Sequence, residues 1–118
     1  MRVHAASESE KPFVPPEKLS GYLLSETHAL GREKARFFRA HGYSNDRVNA
    51  LEQGLLAIAM GGEVLQEVAS AHGTKYVVDG GMMAPQGTIL NLRTVWIVEP
   101  RDDRPRFVTA YPAKEVKK

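Results

Sequence analysis

The hydrophobic period of this chain changes once, near residue 62. Upstream, apolar residues recur at helical spacing. Val48, Leu51, Leu55 and Ile58 fall at i, i+3, i+7 and i+10, with Leu56 beside them, which predicts a helix with a core-facing stripe. Ser44 suits its N-cap, Asp46 its first turn and Gly61-Gly62 its stop. The pattern predicts a second helix from Gly31 to His41, with Ala35 and Phe38 on one face and Gly42 as a left-handed cap. A short helix is expected after Pro16, from Glu17 to Leu24. Its apolar face is Leu19, Tyr22 and Leu23, and Gly21 weakens it. Ser25 to Leu30 reads as a loop that holds His28.

Downstream the period becomes two. The expected strands are Glu63 to Ser70, Thr74 to Asp79, Thr88 to Glu99 and Arg106 to Tyr111. A turn at His72-Gly73 joins the first pair, Gly80 to Gly87 reads as a loop, and Pro100 to Pro105 makes a hairpin turn. Helices first and a meander of antiparallel strands second indicate an α+β fold, with helices on one face of a four-stranded sheet and a ligand site on the other. Residues 1–15 read as an arm pinned by Phe13-Val14 as an edge strand, 16–113 as a single domain and 114–118 as a frayed basic tail.

Length and composition narrow the classes without choosing one. The chain has 118 residues, 42% hydrophobic and 25% charged, enough for one core without staples. No apolar run approaches the ~18–20 residues that span a bilayer, and no secretory h-region is visible, so a cytoplasmic location is expected. With 0 cysteines there are no disulfides, thiolate metal sites or thiol nucleophiles. The 16 basic and 14 acidic residues leave +2, too small an excess to argue for a polyanion by itself.

The four histidines, His4, His28, His41 and His72, form no HxH or HExxH pair, and no phosphate-binding glycine loop or serine elbow is present. No metal site and no cofactor are therefore expected. What remains is a set of polar side chains suited to metal-free RNA cleavage, in which the nucleophile belongs to the RNA. Such a reaction needs proton transfer and cations for the phosphorane. The candidates are His28, Arg93, Thr109 and Tyr111 as catalytic groups, with Lys34, Lys75 and Arg36 binding substrate. Arg93 interrupts an apolar strand, so its head must reach water, a partner or a ligand. Thr109 and Tyr111 are expected on one face of the last strand together with Phe107. Arg32, Arg36 and Arg39 form a basic stripe on a helix, the ordinary form of which is a solvated face.

Two stretches carry a resemblance. Lys18-Leu19-Ser20-Gly21-Tyr22-Leu23-Leu24 leads through His28, Gly31, Lys34 and Ala35 to Phe38. Arg93-Thr94-Val95-Trp96-Ile97 leads to Asp103-Arg104-Pro105-Arg106-Phe107-Val108-Thr109-Ala110-Tyr111, and Gly73, Tyr76 and Asp79 lie between the two stretches. Over roughly Pro16 to Pro112 this resembles a bacterial family of small toxin-like proteins known as a domain of unknown function. The family reads K-L-x-x-Y-L-L, then H-P-x-G-x-x-K-A, then V-R-x-x-W-I and P-R-x-V-T-x-Y. Ala29 stands where that family usually has proline, which implies a looser loop around His28.

The family is similar in layout to the barnase–EndoU–colicin–RelE group of ribonucleases. The resemblance implies a metal-independent endoribonuclease toxin, with RNA as substrate and an antitoxin or immunity protein encoded nearby as partner. His28 and Lys34 would act from the helix side, and Arg93, Thr109 and Tyr111 from the sheet side. The alternative is a non-catalytic module that binds a neighbour-encoded protein; a phage-associated structural domain is a third expectation.

Overall fold

The computed structural model describes residues 11–25, 27–29 and 31–113. The basic tail, the first ten residues of the arm and His4 lie outside them. A single α-turn, Pro16–Lys18, runs directly into a five-residue π-turn, Leu19–Leu23; together they are α1. Helix α2 is Arg32–Ala40 and α3 is Val48–Gly61, entered through a 3₁₀ turn at Asn45–Arg47. Four strands follow: β1 Glu63–Ser70, β2 Gly73–Met83, β3 Ile89–Val98 and β4 Arg106–Pro112. They form one antiparallel meander in the order β1-β2-β3-β4, so the α+β arrangement expected from the pattern is the one adopted.

Local signals account for most boundaries. The Ser44 hydroxyl accepts the Asp46 N–H and starts the path into α3. Gly42, at φ +99°, closes α2, and Gly61-Gly62 end α3. Leu51, Leu55 and Ile58 of α3 are buried on the sheet. The side of β2 and β3 that meets them carries Val78, Leu92, Thr94 and Trp96, all fully buried. Trp96 packs edge-to-face on Phe107 at 5.3 Å between centroids. Its indole N–H donates to the Thr94 hydroxyl, which in turn donates to the Val78 carbonyl.

Two sequence expectations are corrected here. Gly80 to Met83 is strand, not loop. Its residues pair with Leu92 back to Ile89, and a Cβ at Gly80 would lie 3.0 Å from the Ile58 side chain of α3, so any larger residue there would push on that helix. The second concerns β4. Phe107 does not share a face with Thr109 and Tyr111. Trp96 pairs with Phe107 but Val95 pairs with Thr109, so Val108 is an extra residue, a β-bulge. The bulge reverses the alternation. Phe107 stays in the core, while Thr109 and Tyr111 turn outward beside Val95 and Arg93. At the other end of β4, Phe13 pairs in parallel with Arg106, and the Arg104 guanidinium covers its ring at 4.3 Å.

Candidate functional site

The π-turn of α1 decides where the site lies. A turn closed by i→i+5 bonds holds more residues than the 3.6 of an α-turn. Here the Leu24 N–H donates to the Leu19 carbonyl at 2.9 Å. The wider winding brings Leu24 into the core with Leu19 and Leu23 and leaves Tyr22 half-buried at the edge of that core. Tyr22 therefore crosses to the outer edge of β4, where its hydroxyl shares a 2.9 Å hydrogen bond with the Thr109 hydroxyl.

The other groups collect around that tyrosine. The His28 ring stands edge-on to it, with centroids 5.1 Å apart and planes at 76°. The Lys18 ammonium lies 5.0 Å from the ring centroid. The Lys34 ammonium lies 6.0 Å from the centroids of both Tyr22 and Tyr111, so it sits between two phenol rings. Lys34 has no ion-pair partner among the described residues. The cleft has a volume of about 580 Å³, and Gly21 and Val108 complete its wall with Glu17 at the rim.

Between α1 and α2 the described residues are tied together at His28. The His28 N–H donates to the Ser25 hydroxyl at 3.1 Å, and the Gly31 N–H donates to His28 Nδ1 at 3.0 Å. With Nδ1 accepting, the neutral ring carries its proton on Nε2. Gly31 is required by close approach: a Cβ there would fall on the Tyr22 carbonyl oxygen, at 2.3 Å.

Arg93 pairs in register with Tyr111 and faces the uncovered side of the sheet. Its partner is Asp79 across the β2–β3 ladder, with Nε and Nη2 donating to the two carboxylate oxygens at 2.8 and 2.9 Å. The hydrogen bonds to Asp79, and then its charge, push the guanidinium still higher in pKa, so Arg93 is a permanent cation held in a fixed orientation. Asp79 occupies one edge of the planar fork and leaves the other edge for an anion.

Five of the seven expected residues, His28, Lys34, Arg93, Thr109 and Tyr111, thus meet at or beside the cleft. Two do not. Lys75 is four residues along β2 from Asp79, roughly 13 Å away, opposite Ile97. Arg36 lines a separate groove of about 470 Å³ with Arg32 and Arg39 on another flank of α2. Within that stripe Arg39 has a structural use: its guanidinium donates to the Leu24 carbonyl and to Asn45, clamping the end of α1. Sequence reasoning placed Tyr22 on the apolar face of a short helix and did not single out Lys18 or the Asp79 that orients Arg93. The available signal was a hydroxyl-bearing aromatic next to a glycine in a short helix.

A family model described as "Domain of unknown function (DUF6883)" matches residues 6–114. The chain belongs to that family. Among solved structures, it is similar to a chain of a contact-dependent growth inhibition toxin–immunity protein complex from Klebsiella pneumoniae 342. The two are 15% identical and superpose with a TM-score of 0.71 over 88% of this chain and 95% of that one. At that identity the likeness is one of fold. No curated protein sequence matches the chain. No helix among the described residues is long and apolar enough to cross a membrane.

Proposed function

We propose that this chain is a metal-independent endoribonuclease of the toxin type, held in check by a neutralising partner protein. The observation that supports it is the Tyr22–Thr109 cleft, where His28, Lys34 and Tyr111 converge next to an oriented Arg93. The likeness of fold to a member of a toxin–immunity complex adds to the same reading.

In the reaction, the ribose 2′-oxygen attacks the adjacent phosphorus. The 2′-O–P bond forms, the P–O5′ bond breaks, and the products are a 2′,3′-cyclic phosphate and a 5′-hydroxyl end. The Tyr22–Thr109 hydroxyl pair accepts a hydrogen bond from the 2′-hydroxyl and orients it, and its proton passes through that pair to water. Lys34 and the free edge of Arg93 take the charge that builds on the non-bridging oxygens. The protonated His28 ring, with N–H on both nitrogens and its bond from Gly31 given up, passes its Nε2 proton to the leaving 5′-oxygen. It is left with its proton on Nδ1; exchange with water moves that proton to Nε2 and restores the Nδ1 lone pair that receives the Gly31 N–H.

The test is cleavage of a short labelled RNA by the purified chain with no partner present. His28→Ala should lower the rate by roughly 10²–10⁴-fold with only the small drop in melting temperature expected from losing the Gly31 bond and the Tyr22 contact. Expression without the partner should arrest growth. Intact RNA with the wild type, or full activity in His28→Ala, overturns the reading. A tight neighbour-encoded partner with no RNA product would put the non-catalytic module in its place.

A further inference from the structure

Beyond Arg93, the uncovered face of the β2–β3 ladder continues in two rows. Asp79 pairs with Arg93, Gly81 with Asn91, and Met83 with Ile89. Alternate residues share a face, so all three rows look outward. Met83 and Ile89 are 66% and 57% exposed, the most exposed large hydrophobic side chains among the described residues, and they stand side by side. Between that apolar wall and Arg93 lies the Gly81–Asn91 row, a depression of about 240 Å³ bordered by Glu63.

The fold explains Gly80 and does not explain Gly81. A Cβ on Gly81 would meet Ile89 at 3.3 Å and Asn91 Oδ1 at 3.5 Å, contacts that a small side-chain shift accommodates. Its φ is not among the positive ones. A glycine inside a strand forfeits packing and order, and it recurs where a ligand approaches the backbone. Here its absent side chain leaves a flat floor beside an aliphatic wall, the shape that receives a planar ring. Asn91 is two residues from Arg93, about 7 Å along the strand, comparable with the separation of a phosphate from the base of its own nucleotide. The polar groups at the floor are the Glu63 carboxylate, which only accepts, and the Asn91 amide, whose Oδ1 lies beside Gly81.

We propose that the Gly81–Asn91 shelf is a nucleobase subsite for a substrate whose phosphate is held at Arg93, and that it selects a base carrying an exocyclic amino group. This rests on the ribonuclease reading and names what flanks its scissile phosphate. The amino N–H groups of cytosine, adenine or guanine donate to the Glu63 carboxylate and to Asn91 Oδ1; uracil presents a carbonyl there, which the Asn91 amide can accommodate but the Glu63 carboxylate repels, so Glu63 carries the selectivity.

The experiment uses the full chain and short RNAs made uncleavable by 2′-deoxy substitution at the attacking ribose. Each position flanking the scissile bond is cytosine or uracil in turn, and binding is followed by fluorescence anisotropy. At one position the wild type should prefer cytosine by roughly 5–100-fold. Asn91→Ala and Glu63→Gln should bring that ratio towards one. Gly81→Val should weaken both ligands by filling the shelf. All three substitutions are at surface positions and should leave the melting temperature unchanged. Equal affinity for the two bases at every position, or an unchanged ratio in all three variants, overturns the subsite; if the wild type still cleaves RNA, the ribonuclease reading stands without it. A wild type that neither binds nor cleaves RNA removes both.

Discussion

Tyr22→Phe removes one oxygen and keeps the ring. The edge-on contact with His28 and the approach of Lys18 and Lys34 are therefore retained, and the specific loss is the 2.9 Å bond to Thr109. Both groups are neutral and half-buried, so the net contribution of that bond is about 0.5–1.5 kcal/mol, nearer the lower end because water reaches the site. Thr109→Val should lose a similar amount. If the two hydroxyls bond to each other, the double variant should lose little more than either single one, giving a coupling of roughly 0.5–1 kcal/mol. Urea denaturation of the four proteins measures it, and melting should fall by about 3–6 °C per kcal/mol for a chain of this size. A native stability of about 5–15 kcal/mol leaves nearly every molecule folded after such a loss. A drop in cleavage well beyond a few per cent in Tyr22→Phe is then a property of the site and not of unfolding. Losses that add to within ~0.3 kcal/mol would refute the bond, and with it the latch between α1 and β4.

Thr94→Val keeps the shape of a fully buried residue but leaves the Trp96 indole N–H without its acceptor, which should cost about 1–3 kcal/mol. Thr94→Ser keeps both hydrogen bonds and should cost less; equal stability of Thr94→Val and wild type in urea would exclude the network. Burial pushes the Tyr43 phenol above its ordinary 10.0. Burial, followed by the charge and hydrogen bond of Glu67, does the same to Tyr76. The folded state thus holds these protons more tightly than the unfolded chain, so their contribution is complete below about pH 10 and is lost as pH rises through the folded values. Urea midpoints between about pH 8 and 11.5 should be level and then fall, and the fall should be shallower in Tyr43→Phe; identical alkaline slopes in the two proteins would remove Tyr43 from the account.

The α+β order, α3 and the meander were legible because they rest on local rules. Ser44, Gly42 and Gly61-Gly62 act on their own neighbours, and the Leu51–Leu55–Ile58 stripe has a single period. The members of the candidate cleft were visible as residue types: His28 in a polar loop and Arg93 in an apolar strand both stood out as local inconsistencies. Its assembly was less so, because two changes of phase build it. A period of 3.6 puts Tyr22 on one apolar face with Leu19 and Leu23; with the π-turn Leu24 joins the core instead and Tyr22 stays half-buried at its edge, within reach of Thr109. A period of two keeps Thr109 with Phe107; the bulge at Val108 separates them. Each irregularity depends on what the partner element needs, Leu24 in the core for one and Trp96 against Phe107 for the other. A pattern read along one segment does not contain that information. Gly80 failed for a related reason, since its lack of a side chain answers to Ile58 and not to a loop.

The Tyr22–Thr109 bond joins positions 87 residues apart, between the first helix and the last strand. Closing so long a loop is an event of global folding and not of any local segment. No partly folded species that lacks β4, or whose α1 has detached, contains the cleft. Activity and native structure should therefore disappear in the same cooperative transition, with no active intermediate on either side. An extended or half-synthesised chain therefore has no cleft, whose two walls meet only when the first helix and the last strand are both in place.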